Sequence, residues 1–221
     1  MHRRRRTALA LTTAVLAPLL AACGSEAHPG AAAVVGDQRI TVAQLQGRVN
    51  EVREAQTADS DPKSPVVAEA GKFTRNTLQD MIFTQVLQAT AAKEDVDVSR
   101  KEVRTLRARA EEQAQGAEAM EAAWLQQFGV VPSRIDESIR TQLLAQKLAE
   151  KLGVDVATGQ NQELYWNALG ETARELGVDV NPRYGTWDAK TSGMGVASPE
   201  WVRDTRSAAE RAGQPEEPAA G

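Results

Sequence analysis

Apolar residues recur every three or four positions along most of the chain, and this spacing predicts a series of amphipathic helices. The first helix follows Thr41, which suits an N-cap, and another begins at Ser99, where Glu102 three residues later completes a capping box. Gly129 and Gly153 stand where two of the later patterns stop. The predicted helical segments cover residues 42–52, 67–94, 100–116, 117–128, 132–153 and 161–176. The apolar stripe of the second segment comprises Phe73, Leu78, Met81, Ile82, Val86 and Ala89, and that of the last comprises Leu164, Tyr165, Ala168, Leu169 and Leu176.

Two short segments lack this spacing and predict β-structure instead. Val34-Val35 leads through a turn at Gly36 to Ile40, a pattern typical of a small hairpin. In the segment VDVNPRYGTWD, valines alternate with Asp179, and Pro182 excludes a helix interior. We expect this second segment to lie beside the Val34-Val35 strand. The predicted fold is mainly α, a multi-helix domain over residues 33–188 with a very small β element that joins residues 33–40 to residues 178–187.

The N-terminal residues have the order of an export signal. Four arginines, Arg3 to Arg6, precede an apolar run over residues 7–20, which is shorter than the roughly 20 apolar residues that span a bilayer. The run ends in Leu20-Ala21-Ala22-Cys23, which resembles a bacterial lipobox. Residues 1–22 are therefore predicted to be a lipoprotein signal peptide. Cys23 is predicted to carry the lipid anchor.

On this prediction, residues 23–32 form a short tether, and the protein lies on the extracytoplasmic face of the cell membrane. The alternative is an ordinary signal peptide that leaves Cys23, the only cysteine, as a free thiol. At the other end, residues 189–221 turn to Ser, Gly, Pro, Ala and Glu, which predicts a disordered low-complexity tail.

Charge and composition exclude several classes of function. The chain has 26 basic and 30 acidic residues, and removing the four arginines of the signal lowers its net charge from −4 to about −8. This balance argues against a nucleic-acid partner, which favours a basic face. No histidine or cysteine follows His28. That excludes a Cys/His zinc site and Ser-His-Asp or Cys-His catalysis in the folded part, and we expect no metal and no cofactor.

The segment AAVVGDQRITVAQLQGRVNEVREA and the later DVDVSRKEV resemble the N-terminal domain of the SurA-type and PrsA-type extracytoplasmic chaperones. The resemblance covers roughly residues 32–188 and rests on a small strand, a turn, and helices that open at Thr41 and at Ser99. It implies ATP-independent binding of unfolded exported polypeptides. The larger family members carry prolyl isomerase activity in a separate parvulin domain. No segment here has the alternating strands and helices of such a domain, so the resemblance does not imply an enzyme.

A chaperone of this kind needs an apolar groove that adapts to many sequences. The candidate residues for contact with a peptide are Met81, Phe83, Met120, Trp124 and Phe128. The alternative for each of them is an ordinary core position, because apolar residues at helical spacing are usually buried. Phe83 lies off the stripe of Met81 and Ile82, which favours the groove at that position.

Three hypotheses of function follow. The first is a membrane-anchored holdase for unfolded exported proteins, with the membrane contacted through lipidated Cys23. The second is a scaffold lipoprotein that holds one specific partner of the cell envelope. The third is an enzyme, either a divergent isomerase or a hydrolase that uses a carboxylate pair. Abundant Asp and Glu leave the third open, although nearly all of them lie on helical patterns.

Overall fold

The computed structural model describes residues 30–59, 70–155 and 157–195. The predicted signal peptide, Cys23 and the tether as far as residue 29 lie outside the described residues. So do the segment 60–69 and the predicted tail from residue 196 onward.

The described part of the chain is mainly helical, as predicted. Its helices are α1 (Val42–Asp59), α2 (Ala70–Lys93), α3 (Arg100–Gln113), α4 (Ala117–Phe128), α5 (Ile135–Lys151) and α6 (Gln162–Glu175). A single 3-10 turn, Pro132–Arg134, precedes α5. The strands are β1 (Ala31–Val35), β2 (Gln38–Thr41), β3 (Asp179–Val180), β4 (Thr186–Asp188) and β5 (Gly193–Gly195).

The helices begin where the sequence provides side-chain caps. At α3, the Ser99 hydroxyl accepts a hydrogen bond from the Glu102 amide, and the Glu102 carboxylate accepts one from the Ser99 amide at 2.7 Å. Thr41 and Gln44 exchange the same pair of contacts before α1. Each exchange satisfies two donors that a helix start leaves unpaired, so both predicted N-caps are confirmed.

The small β element also forms as predicted, and it brings the two ends of the domain together. β1 lies between β2 and β3 and is antiparallel to both. Ala33 pairs with Val180, and the Asn181 amide donates to the Ala32 carbonyl at 3.0 Å. β3 is only two residues long, because Pro182 cannot donate to a sheet. Trp187, predicted in the same element, lies in a separate β4–β5 hairpin.

The last described strand ends at Gly195, beyond the predicted domain boundary at residue 188. The hairpin is held against the helices at two points. The Met194 amide donates to the Gln79 side chain on α2 at 3.2 Å. On α6, a Cβ at Gly170 would lie 2.4 Å from the Ala189 carbonyl oxygen, so glycine permits the close approach. Residues 189–195, predicted as the start of the tail, are therefore part of the fold. Ala31 and Ala32, predicted as the end of the tether, also belong to the fold, because they are fully buried in β1.

The core surrounds α2, which contacts α1, α5, α6 and β1. Leu78, Ile82 and Val86 on its inner face are fully buried, as the predicted stripe requires. The prediction for α6 was wrong at Leu164, which is 44% exposed. Tyr165 and Leu169 of the same predicted pattern are buried, and Leu164 is not because it points about 100° away from Tyr165 around the helix.

Candidate functional site

A groove of about 450 Å³ opens between α1, α2, the end of α4 and α5. Its apolar lining is contributed by Val52 of α1, Phe73 and Phe83 of α2, Phe128 of α4, and Val130 in the following loop. The other lining side chains are polar or charged: Asn76, Thr77, Thr84, Ser138 and Thr141, with Arg48, Asp80, Arg134 and Glu137. We call this feature the aromatic groove. Its volume is within the usual range of ligand sites, about 300–1,000 Å³.

Gly129 positions the groove's most exposed aromatic ring. It ends α4 in the left-handed conformation, at a φ of 64°, and its amide donates to the Leu125 carbonyl. The chain therefore turns directly after Phe128 and leaves that ring at the rim. Phe128 is 63% exposed, and Trp124 one turn earlier contacts its ring edge-on at a centroid distance of 5.8 Å. This edge-on contact with Trp124 helps to hold the Phe128 ring at the rim.

The structure brings together only two of the five residues predicted to contact a peptide. Phe83 and Phe128 line the aromatic groove. Met81 and Trp124 are half-buried and pack against the core. Met120 is 1% exposed, so the prediction that it contacts a peptide is corrected to a core position. The physical reason is that the inner face of α4 presents Met120 to the main core, four residues before Trp124.

Phe73 is not among the residues predicted to contact a peptide, because the predicted apolar stripe of α2 includes it. Phe73 precedes Leu78 by five residues, and such a step turns a helix by roughly 140°, so the two side chains face apart. Phe83 follows Leu78 by the same number of residues. This angular offset is the signal in the sequence that identifies both phenylalanines.

Ion pairs join α1 to the start of α5 along one side of the groove. Arg48 contacts Glu137 at 2.8 Å, and Arg134 contacts both Glu51 at 2.8 Å and Glu137 at 3.0 Å. Burial acts to raise the pKa of Glu137, but hydrogen bonds and charge from the two arginines lower it below its usual value. The hydrogen bond from Arg134 likewise lowers the pKa of Glu51. Both carboxylates are therefore ionised at neutral pH.

Asp80 on α2 is the acidic residue that lines the groove opposite this network. Its side chain is open to the groove, yet the surrounding walls desolvate the carboxyl and raise its pKa, with Arg48 opposing the shift. The aromatic rings thus lie next to one carboxyl group that a basic or amide group of a bound peptide can contact.

A second, smaller hollow of about 330 Å³ lies between α5, the following loop and α6. It is lined by Ala149, Val154, Tyr165 and Trp166 among others, with the two aromatic rings edge-on at 5.2 Å. Burial raises the pKa of Tyr165 to about 12, so its hydroxyl stays protonated. This hollow lacks the exposed aromatic rim of the groove.

Among the described residues, no group of three His, Cys, Asp or Glu side chains is arranged to hold a metal ion. In the same part of the chain, no helix is long and apolar enough to cross a bilayer.

Comparison with known proteins identifies the family. The family model described as the SurA-like N-terminal domain matches residues 3–149, about two thirds of the chain. The match includes α1 to α4 and most of α5, and with them every residue that lines the aromatic groove. No curated protein and no solved structure gives a significant match. On the strength of the family match, the chain belongs to the SurA-like N-terminal domain family.

Proposed function

We propose that this protein is a membrane-anchored, ATP-independent holdase that binds unfolded exported polypeptides in the aromatic groove. SurA N-terminal domains occur in periplasmic chaperones, and such domains bind unfolded proteins in general. The observation that supports a holdase is the exposed ring of Phe128 beside Phe73 and Phe83. An exposed aromatic ring at the rim of a concavity that further apolar rings line is typical of an interaction site.

The composition of the groove suits an unfolded chain of varied sequence. The aromatic rings provide apolar contact for one or two side chains without demanding a particular shape. The Asn76 amide can both donate to and accept from a peptide backbone, which every sequence has. The hydroxyls of Thr77, Thr84 and Thr141 donate to carbonyls four residues earlier, so their oxygens can accept from peptide N–H groups. Sequence-tolerant binding therefore follows from apolar contact and backbone contact together.

The anchor is proposed from the sequence, where a basic head and an apolar run end at Cys23. The described fold begins at Gly30, so six residues separate it from the proposed anchor. Six extended residues span about 20 Å, which holds the domain close to the membrane where exported chains emerge. Cys23→Ser should release the protein from membranes after a carbonate wash. Retention of that variant in the washed membranes would contradict the anchor.

The holdase is tested with the fragment Gly24–Gly221, which retains every described residue. The fragment is heated with an unrelated protein that aggregates, and light scattering is followed without ATP. We expect suppression near one-to-one stoichiometry, and we expect Phe128→Ala to lose most of it. Leu164→Ala is the matched control, because Leu164 is the other large apolar side chain exposed in the described residues. Equal suppression by the two variants would refute the role of the groove.

A dedicated scaffold is the second candidate, and the ordered ion pairs beside the groove favour it. Arg48, Arg134 and Glu137 hold that side of the groove in one arrangement, which gives a particular partner a defined register. In this case the fragment suppresses no aggregation of unrelated proteins. Instead, one envelope protein copurifies with it from crosslinked membranes, and Phe128→Ala abolishes the crosslink.

A further inference from the structure

A third concavity, of about 450 Å³, lies on another face of α1 and α2 and is strongly basic. Its charged lining residues are Arg53, Lys72, Arg75 and Arg183, and none of its lining residues is acidic. We call it the basic hollow. In a chain whose net charge is negative, three arginines with no carboxylate among the lining residues form a local positive surface.

The arginines of the basic hollow differ from those beside the aromatic groove. Arg48 and Arg134 are each paired with glutamates at 2.8 Å. By contrast, none of the ion pairs between described residues includes Arg53, Arg75 or Arg183. Their positive charge therefore remains available to an external anion. Guanidinium groups bind phosphate oxygens in a two-pronged geometry, so a phosphodiester is a suitable ligand.

The basic hollow lies at the end of the domain where the described chain begins. Arg183 follows Asn181, whose side chain donates to the Ala31 carbonyl at 3.1 Å. The Gly30 carbonyl accepts from the Val42 amide at the start of α1, one turn before Gln46, another lining residue. Gly30 is seven positions after Cys23, so this end of the domain is the one nearest the proposed anchor.

Helix geometry places the basic hollow and the aromatic groove on different sides of the α1–α2 pair. On α1, the hollow uses Gln46 and Arg53, while the groove uses Arg48 and Val52. At about 100° per residue, these two pairs point roughly 130° apart. On α2, the mean direction of Lys72 and Arg75 lies roughly 110° from the mean direction of the residues that line the groove. An extended surface that binds at the hollow therefore leaves the groove accessible to a peptide.

We propose that the basic hollow binds the phosphodiester headgroups of anionic phospholipids in the membrane that carries the anchor, and so turns the aromatic groove away from that membrane. The orientation rests on the anchor and the groove proposed above, whereas headgroup binding rests on the hollow alone. Because the proposed anchor is within about 20 Å of the described fold, the phosphodiesters of the lipid surface are always within reach of the hollow. Basic residues near such a surface each strengthen binding about fivefold.

The test uses the fragment Gly24–Gly221, which has no anchor, and sedimentation with vesicles. We expect it to bind phosphatidylglycerol vesicles at low salt, to dissociate as salt rises, and to ignore phosphatidylcholine vesicles. The triple variant R53Q/R75Q/R183Q should bind at least about tenfold more weakly. The matched control is K101Q/R104Q/R109Q, which removes three exposed charges from α3. Unchanged melting temperatures verify that both variants are folded.

Several outcomes would overturn the proposal. One is equal binding of the triple variant and the unsubstituted fragment to phosphatidylglycerol vesicles. Another is equal binding of the fragment to neutral and anionic vesicles, and a third is binding of inorganic phosphate with none to vesicles. The control losing as much affinity as the triple variant would also overturn it, because the effect would then reflect total charge.

Orientation is read separately with an environment-sensitive dye on a single introduced cysteine. On phosphatidylglycerol vesicles, dye at Q46C in the hollow should report an apolar surrounding, and dye at T141C in the groove should not. The opposite pattern refutes the orientation. The triple variant should still suppress aggregation in solution, since it leaves the groove intact. If the holdase assay fails, the vesicle experiment still tests headgroup binding, because it does not depend on the aromatic groove.

Discussion

The inner face and the groove face of α2 differ in how completely they are packed. On the inner face, Leu78, Ile82 and Val86 are fully buried against other parts of the same chain. On the groove face, Phe73 and Phe83 are half-buried and border an open space. Ion pairs, rather than side-chain packing, connect α1 to α5 along that space. The comparison indicates that the inner face determines stability, and that apolar surface left unpacked on the groove face is available for binding.

The largest expected effect is the difference in free energy of unfolding between substitutions on the two faces. Leu78→Ala removes a fully buried side chain from the inner face and should lower the free energy of unfolding by about 2–5 kcal/mol. Phe128→Ala removes an exposed ring of the groove and should change it by less than about 0.5 kcal/mol. Urea denaturation followed by circular dichroism measures both. A loss of 2 kcal/mol or more in the Phe128 variant would mean that the groove is a structural surface.

The next effect compares two glycines inside helices. A Cβ at Gly170 would meet the Ala189 carbonyl oxygen at 2.4 Å, so Gly170→Ala should cost about 1–3 kcal/mol and displace the β4–β5 hairpin. Gly47 on α1 has nothing within 4 Å of the same position. Gly47→Ala should therefore stabilise the protein by about 0.5–1 kcal/mol. Thermal melts of the two glycine variants test these opposite shifts in stability. Equal melting temperatures for the two variants would contradict the close approach at Gly170.

A smaller effect concerns acid and the link between α3 and α5. Hydrogen bonds from the Ser99 hydroxyl, from Lys147 and from the Ser99 amide lower the pKa of Glu102 from 4.5 to about 2. An acid whose pKa is lowered by folding stabilises the fold above its unfolded pKa. This contribution is complete above about pH 5 and is lost as pH falls from 4.5 toward 2.

Urea midpoints measured from pH 7 down to pH 2.5 test the role of Glu102. Glu102→Gln should lie below the unsubstituted protein at pH 7, and the two curves should converge as the pH falls. Glu112→Gln, an exposed glutamate near the end of the same helix, is the control. A constant difference at every pH would show that the Glu102 charge has no part in stability.

The smallest effect concerns Asp80 on the groove face. Desolvation raises the pKa of its carboxyl, so folding favours the protonated form, and stability declines as pH rises through the raised pKa. Asp80→Asn should flatten that decline and stabilise the protein at pH 7 by less than about 1 kcal/mol. If clients contact this carboxyl through basic groups, the variant should bind a lysine-containing peptide more weakly than its uncharged analogue. A more stable variant with unchanged peptide preference would limit Asp80 to a structural effect.

Most of the inner framework could be predicted from local sequence signals. The repeat of Leu78, Ile82 and Val86 marks a buried stripe, and Ser99 with Glu102 marks a helix start. The pairing of β1 with β3 followed from alternating valines and a proline. Each of these signals lies within a few residues, and the physical rule behind it acts over the same distance.

The helical offset from Leu78 marks Phe73 and Phe83, but the groove itself depends on distances between helices that no local pattern contains. Met120 and Phe128 have the same apolar character on the same helix, yet one is buried and the other is exposed at the rim. The difference comes from the position of α4 against its neighbours. Asp80 resembles any solvated charge on an amphipathic helix until the opposite wall of the groove is in place. The placement of the β4–β5 hairpin likewise involves a close approach of Ala189 to Gly170, which no short sequence pattern contains.

The central position of β1 has a consequence for the order in which the chain folds. The Asn181 side chain and its Ala31 partner are 150 positions apart, and β1 cannot complete its sheet until β3 is present. A chain that emerges N-terminus first, from a ribosome or an export channel, therefore exposes one edge of β1 until nearly the whole domain has followed. Contacts this distant in sequence also slow folding. During that interval the nascent protein is as exposed to aggregation as the clients that we propose for it.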